Sequence, residues 1–580
     1  MSPFARAMLA PLTEQHAGPG LRHLQRILPR KVVGDLATLM PVADVAMQGL
    51  WPEYPDTTRV CHSRLISVLA AGTVRSAPAP AEWLPPEVCQ GLPSWRDAAL
   101  AIHAPQTRGA WMPASAARTR LALDELTARQ VRSRAVRDRR QTRACEALKV
   151  QIDFGLAPFT LTPSQAQALQ EIATGMRSTA PMQRLLQGDV GAGKSIVAQL
   201  AAAAVGRAGW QAAIMAPTEI LAKQLHAKTV PIMQAAGLRC VFIGGGQSKA
   251  KREALAALAD GRAHVAVGTH ALLTGSVQWH RLGLAIVDEQ QRFGVDQRAV
   301  ISAGRHTLMM SATPIPRTLA AALHGDLDIS TLERPPGRLP VVTTACETAD
   351  MRQVIAQVRE QAAAGRAAFW VLPMIDENPE LDLATVTERH AHLQQALPEF
   401  AIGVAHGAMP ARARDQAMSD LRDGRLQVLV ATTVIEVGVD VPHATLMVIE
   451  HAERFGLSQL HQLRGRVGRA SLPSSCLLMS DSDGDTAQER IAAMVASNDG
   501  AELARVDARL RGHGDALGTA QHGGNPFAVF DLDAHSSWIS AAQYAAVHLL
   551  KPGNERALDD LMAVHAPLDW REVDAARLGA

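Results

Sequence analysis

Eight consecutive residues, Gly188-Asp189-Val190-Gly191-Ala192-Gly193-Lys194-Ser195, fit the pattern G-x-x-x-x-G-K-[ST]. In that pattern the glycines bring backbone N–H groups against phosphate oxygens. The lysine reaches the β/γ oxygens and the hydroxyl ligates Mg²⁺. Further along, Gln462-Leu463-Arg464-Gly465-Arg466-Val467-Gly468-Arg469 repeats arginine at a spacing of three between glycines. Planar guanidinium forks suit phosphate oxygens, and glycines let backbone approach a ligand. Gln462, Arg466 and Arg469 are therefore candidates for stabilising the charge that develops during phosphoryl transfer. The first stretch alone indicates a nucleoside triphosphatase. The pair indicates a motor.

Between the two lie further candidates. Asp288-Glu289 follows the apolar run 284–287. Here Asp288 is suited to hold Mg²⁺ through water and Glu289 to polarise the attacking water. Taken alone, the two are also an ordinary carboxylate pair at a strand end. Ser311-Ala312-Thr313 offers small hydroxyls, with Ser311 and Thr313 placed to link hydrolysis to movement. Upstream, Gln165 carries an amide with both donor and acceptor, suited to an adenine edge, while Thr162 is a helix N-cap. The resulting site is Gln165 with Gly188, Asp189, Val190, Gly191, Ala192, Gly193, Lys194 and Ser195, the metal being held by Ser195 and Asp288. ATP and Mg²⁺ are the expected ligands.

These residues need elements to position them. From about residue 154 short apolar runs each end in a polar cluster: 212–215 before Pro217-Thr218-Glu219, 264–267 before Gly268-Thr269-His270, and 307–310 before Ser311. Such runs read as buried parallel strands, whose carboxyl ends carry the ligands in open α/β sheets. After the Pro335-Pro336-Gly337 break the texture resumes at 368–372, 402–405, 427–430, 445–449 and 476–479. The expected fold is α/β: two tandem parallel-sheet domains with a mostly helical N-terminal region and a small C-terminal region. The expected boundaries are 1–50, a short helical segment; 51–150, a helical linker; 151–334, the nucleotide-binding domain; 335–490, the second domain; and 491–580, the C-terminal region. Between residues 117 and 150 ten Arg/Lys face four Asp/Glu, either a solvated helix face or a surface that tracks phosphates.

Composition narrows the class. The chain has 580 residues, 47% apolar and 20% charged, with a formal net charge of +2. A length beyond ~250–300 residues implies several domains. The near-neutral charge means that any DNA affinity comes from local patches. Six dispersed cysteines without a C-x-x-C pair argue against a zinc site or a disulfide framework and fit a reducing compartment. No apolar run reaches the ~18 residues of a membrane span. A soluble, cytoplasmic, monomeric protein with no membrane partner is expected.

In their order along the chain these motifs resemble superfamily 2 helicases and translocases, and within them the RecG family. Asp288-Glu289-Gln290-Gln291-Arg292-Phe293-Gly294-Val295 resembles that family's second motif, and Ser311-Ala312-Thr313-Pro314-Ile315-Pro316-Arg317-Thr318 its third. The run Ala431-Thr432-Thr433-Val434-Ile435-Glu436-Val437-Gly438-Val439-Asp440-Val441-Pro442 resembles the fifth, and Arg454–Gln462 leads into the sixth as in RecG. The Mfd translocase shares much of this motor. However, Pro52-Glu53-Tyr54-Pro55, Glu82-Trp83-Leu84-Pro85-Pro86-Glu87 and Arg120-Leu121-Ala122-Leu123-Asp124-Glu125-Leu126 look like RecG's segment between wedge and motor.

The resemblance implies that the two parallel-sheet domains are RecA-like, and that they form an ATP-dependent helicase or translocase acting on branched or duplex DNA in recombination and fork repair. Pro217, Thr218, Glu219, Gly268, Thr269, His270, Thr432, Thr433 and Glu436 would contact DNA or couple to it. Asp507–Gly514 and Gly518–Gln521 resemble the translocation motif, with Arg511 and Gln521 as coupling residues.

The sequence also departs from the family. The RecG wedge is an OB-fold of five strands at roughly 5–6 residues each, and the eleven residues 41–51 cannot hold it. Gln291 stands where RecG has His, Arg509 where it has an acid, His513 where it has Pro, Ala520 where it has Arg, and Ser195 where it has Thr. Two alternatives follow from these departures: a wedge-less duplex translocase that does not unwind, or a degenerate ATP-switched DNA-binding or scaffold protein.

Overall fold

The computed structural model describes residues 80–105, 114–141, 145–245, 248–273, 277–288, 305–311, 327–334, 339–373, 379–432, 441–468, 472–510 and 529–565, with isolated positions between 70 and 112. Expectations that fall on 1–50, Glu289, Gln291, Thr313, Thr433, Glu436, Arg469, Arg511, His513, Ala520 and Gln521 lie outside the described residues.

Ahead of the first sheet stand a one-turn helix at Pro86–Cys89, α1 (Trp95–His103) and the 26-residue α2 (Ala116–Gln141). The first parallel sheet and its helices follow: α3 (Pro163–Met176), β1 (Gln183–Gly188), α4 (Lys194–Arg207), β2 (Gln211–Met215), α5 (Glu219–Ala235), β3 (Cys240–Ile243), α6 (Lys249–Ala259), β4 (Val265–Gly268), β5 (Leu282–Val287), β6 (His306–Ser311) and β7 (Asp328–Leu332). The sheet order is β3-β4-β2-β5-β6-β1-β7, and every pairing is parallel.

The second lobe holds β8 (Val342–Cys346), α7 (Met351–Ala363), β9 (Ala367–Val371), α8 (Pro379–Ala396), β10 (Ile402–Ala405), α9 (Ala411–Arg422), β11 (Val428–Ala431), β12 (Ala444–Ile449), α10 (Leu457–Arg464), β13 (Ser475–Met479), α11 (Asp485–Ala496) and α12 (Gly500–Leu510). Its sheet order is β10-β11-β9-β12-β13-β8, again parallel throughout. Two further helices, α13 (Ile539–Leu549) and α14 (Glu555–His565), close the described chain.

Both sheets follow from buried apolar strands. β2, β4, β6, β9, β11 and β12 are buried at every position, as strands covered on both faces must be. The alanine-rich α4 is buried along its whole length from Ile196 to Gly206. A helix apolar all round belongs inside, and small side chains let its neighbours close in. A Cβ at Gly206 would stand 2.6 Å from Leu238.

The residues from 529 onward do not continue the second lobe. Phe530, Ile539, Ala542, Leu549, Leu558 and Leu561 share one core with Trp83, Leu84, Ala122, Leu126 and Val131. The C-terminal stretch is thus divided between two cores: α11 and α12 pack on lobe 2, while α13 and α14 pack on α2.

The segments Glu82–Glu87 and Arg120–Leu126 meet in this helical body. Arg120, 1% exposed, gives Nη1 and Nη2 to the two oxygens of Glu82 at 2.7 Å each, and Nε to Asp124 at 3.0 Å. The Trp83 indole N–H donates to Asp124 at 2.7 Å. Glu125 accepts the backbone N–H groups of Val529 and Phe530 at 2.9 and 3.0 Å, fastening the returning chain. The basic stretch is therefore only partly a charged face, because Arg120 is internal and Arg137 pairs with Asp328 of β7 at 3.3 Å. No helix among the described residues is long and apolar enough to cross a membrane.

Candidate nucleotide site between the lobes

The phosphate loop spans the turn from β1 into α4. Gly191 and Gly193 hold left-handed φ values of +81° and +87°, a region L side chains rarely adopt. Gly193 is also required by space: a Cβ there would lie 2.3 Å from the Gln165 amide nitrogen. Lys194 begins α4 and turns its ammonium back to the carbonyls of Gly188 at 2.7 Å and Asp189 at 3.0 Å. Ser195 follows, exposed at the helix N-terminus, where free N–H groups and the helix dipole favour an anion.

Gln165 has a second task beyond the one the sequence suggests. Thr162 and Gln165 form a full capping box at the start of α3: Gln165 N–H donates to the Thr162 hydroxyl at 3.3 Å, and Thr162 N–H donates to Gln165 Oε1 at 2.9 Å. The amide nitrogen then donates to the Ala192 carbonyl at 2.9 Å. Gln165 is 2% exposed, so the cap, the amide and the phosphate loop form one rigid unit.

Strand register aligns the other candidates of lobe 1. Gln187 pairs with Ser311, and Val287 pairs with Met309 on the far side of β6. The loop after β1, Ser311 and Asp288 thus lie on one carboxyl edge, across two strand spacings of ~4.8 Å each. Asp288 is half-buried, and its N–H is held by Met215 O at 2.9 Å. Ser311 is 5% exposed.

The remaining loops of lobe 1 leave the half of the sheet opposite β1. Thr218 precedes α5 as its N-cap residue, and Glu219 pairs with Lys223 at 2.9 Å. Gly268 ends β4 so close to β3 that a Cβ would sit 2.3 Å from Ile243 O. Thr269 is buried, and His270 opens a short 3-10 turn. In lobe 2, Thr432 is buried at the carboxyl end of β11, its N–H donating to Ala405 O at 3.3 Å.

Helix α10 carries the second motif onto the first. A Cβ at Gly465 would meet Val190 at 2.8 Å, so lobe 2 backbone rests directly on the phosphate loop. Gln462 and Arg466 are half-buried beside it. Arg464, which the sequence gives no role, is 2% exposed and anchors the helix. Its guanidinium donates to Thr343 Oγ1 at 3.2 Å and to the carbonyls of Met494 and Ser497 at 2.8 Å each. Ser458 of the same helix donates to Asp507 of α12 at 3.1 Å. Arg509 forms an ion pair with Glu489 of α11, so the basic residue in place of an acid is accommodated within the hairpin.

Sequence reasoning also missed His461, which donates from Nε2 to Asp189 Oδ1 at 2.7 Å across the lobes. The available signal was its spacing of four from Gly465, which places both on one helix face.

Comparison with known proteins agrees with this arrangement. Residues 162–322 match the DEAD/DEAH box helicase family, and residues 354–471 match the helicase conserved C-terminal domain family. The ATP-dependent DNA helicase RecG of Synechocystis sp. is 45% identical over 397 residues, 67% of this chain and 48% of that protein. RecG of Acidithiobacillus ferridurans is 43% identical over 455 residues, 77% of this chain and 65% of that protein. RecG of Escherichia coli O157:H7 is 40% identical over 541 residues, 90% of this chain and 77% of that protein. The chain therefore spans between about half and three quarters of the length of these relatives. Among solved structures, RecG bound to a three-way DNA junction superposes with a TM-score of 0.68 at 35% identity, covering 83% of this chain and 64% of that one.

Proposed function

Because the chain belongs to the RecG family of superfamily 2 helicases, we propose that it hydrolyses ATP and couples the hydrolysis to movement on branched or duplex DNA, as a cytoplasmic monomer. The observation that carries this reading is the seating of α10 on the phosphate loop, with Gly465 against Val190. A simple nucleotide-binding domain has no use for a second lobe applied to its phosphates. A motor that senses the γ-phosphate does.

In this reading Lys194 holds the β/γ oxygens, with Gln165 bracing the loop beside the base. Glu289 activates water, and Gln462, Arg466 and Arg469 neutralise the developing charge. The hard oxygen donors Ser195 and Asp288 suit Mg²⁺, which when bound supplies charge neutralisation for the phosphates. Loops at Pro217–Glu219, Gly268–His270 and Thr432–Glu436 grip DNA alternately as the lobes open and close. Arg511 and Gln521 pass the motion to the duplex.

The test is steady-state ATP hydrolysis without DNA and with linear duplex, single strand and a four-way junction at one salt concentration. Lys194→Ala serves as the inactive, folded control. Greater stimulation by the junction than by linear duplex supports the branch-directed reading. Equal stimulation by any duplex, with no strand displacement on a fork, identifies a translocase that does not unwind. ATP binding without DNA-stimulated turnover refutes the motor and leaves an ATP-switched DNA-binding protein.

A further inference from the structure

The phosphate loop is gripped at two successive residues by one face of α10. Gly465 lies against Val190, and four residues earlier His461 reaches Asp189. Both ring nitrogens of His461 are engaged. Arg464 Nη2 stands 3.0 Å from Nδ1, and because an arginine only donates, Nδ1 is the acceptor. The hydrogen therefore sits on Nε2 and points at Asp189 Oδ1. That same carboxylate oxygen accepts the Val190 N–H at 2.6 Å. The histidine side chain is 8% exposed and the aspartate 21%, so little water competes.

We infer that His461 and Gly465 form a clasp that closes lobe 2 on the phosphate loop, with His461 a positioning residue that sets Arg466 against the γ-phosphate by fixing Asp189. Burial works against the Asp189 charge, yet the hydrogen bond from His461, the Val190 N–H and the Lys194 charge together hold its carboxyl below the ordinary range. Arg464 supports the clasp from behind. Its anchors on Thr343, Met494 and Ser497 fix the helix, and its contact with Nδ1 fixes the tautomer of the ring. Nothing in the clasp touches the reacting atoms, so its loss weakens closure and leaves nucleotide affinity largely intact.

The kinetic part of this inference rests on the proposed ATPase. The test therefore pairs kinetics with a measurement that needs no turnover. His461→Ala, His461→Gln, Asp189→Ala and the double variant His461→Ala/Asp189→Ala are compared with the wild type. Glutamine offers a donor and an acceptor in place of the two ring nitrogens. Hydrogen exchange is followed in peptides covering 188–195 and 457–468. His461→Ala should exchange these ~10-fold faster with the rest of the protein unchanged, as expected for a local opening, and His461→Gln should remain near wild type.

In DNA-stimulated hydrolysis His461→Ala should lower kcat ~10-fold, the size of a lost hydrogen bond to a charged group, with the Kd of a fluorescent ATP analogue moved less than about threefold. The double variant should be no worse than the poorer single one. Unchanged exchange in His461→Ala, a glutamine variant as impaired as the alanine one, or additive single effects would each overturn the clasp. If the wild type shows no hydrolysis, the motor reading fails while the exchange data still decide the clasp.

Discussion

Replacing Gly193 by alanine tests the site at its most constrained backbone position. Its φ of +87° costs an L side chain ~1–2 kcal/mol. The new Cβ would also stand 2.3 Å from the Gln165 amide nitrogen, so that amide must leave the Ala192 carbonyl it holds at 2.9 Å. A buried hydrogen bond of this kind contributes ~1 kcal/mol, and leaving its partner unsatisfied adds to the loss. The loop conformation that presents its N–H groups to phosphate is thus disfavoured by ~2–3.5 kcal/mol. Apparent nucleotide affinity falls with the population of the competent loop, here roughly 30- to 300-fold. Titration of a fluorescent ATP analogue measures this directly. The two causes separate in a Gln165→Ala background, where the clash is gone and Gly193→Ala should cost about fivefold less, because ~1 kcal/mol of the effect is shared. Affinity within about threefold of wild type in Gly193→Ala would refute the reasoning, as would additive effects of the two changes.

Two further predictions concern the helical body. Arg120→Met removes the cationic partner of Asp124, which is fully buried and keeps only the Trp83 N–H. The helical body should lose ~3–5 kcal/mol in urea denaturation, and Arg120→Met/Asp124→Asn should recover most of it. Burial already pushes the Asp124 carboxyl up to about 6, so without the guanidinium the loss relative to wild type should shrink as pH falls toward 5. In the wild type, burial lowers His103 to about 4, and burial together with Arg120 lowers His565 to about 3. The unfolded chain then takes up these protons first. Stability of α1, α2 and α14 should be intact above pH ~6.5 and fall as pH drops toward 4, by ~2 kcal/mol per histidine at pH 5, read as selective loss of exchange protection in these helices.

Much of the two-lobe fold was legible because its signals are local. Nine of the thirteen strands among the described residues lie where apolar runs end in polar clusters, and Leu185-Leu186, leading into the phosphate loop, mark a tenth, β1. The three the runs missed, β3, β7 and β8, sit at or beside sheet edges, where a strand need not be apolar throughout. β8 shows this plainly, with Val342 exposed and only Thr343 of its five residues buried. Non-local pairings were not legible. Nothing in the composition of 529–565 says that it packs on α2, because that choice depends on which apolar face is left open after both sheets are built. Likewise His461 and Asp189 are 272 residues apart, and the spacing of His461 from Gly465 marks a shared helix face without naming the partner that face meets.

In the proposed motor, the arrangement of these contacts bears on where movement would be transmitted. The chain closes a ring: lobe 1 leads to lobe 2, lobe 2 to the helical body, and the helical body touches lobe 1 again. The links differ in stiffness. Arg137–Asp328, between α2 and β7, has both partners about two-fifths exposed, and such pairs contribute only ~0–1 kcal/mol. Glu125, by contrast, binds two successive backbone N–H groups at 529 and 530. Arg464 places two buried bonds and one part-buried bond between α10, β8 and the C-terminal end of α11. In the proposed motor, a shift of the phosphate loop should therefore pass from Asp189 and Val190 through α10 into the α11–α12 hairpin, along the bonds of Arg464. Hydrogen exchange in α11 and α12 should then differ between the nucleotide-free and ATP-bound protein, and unchanged exchange there would refute this route.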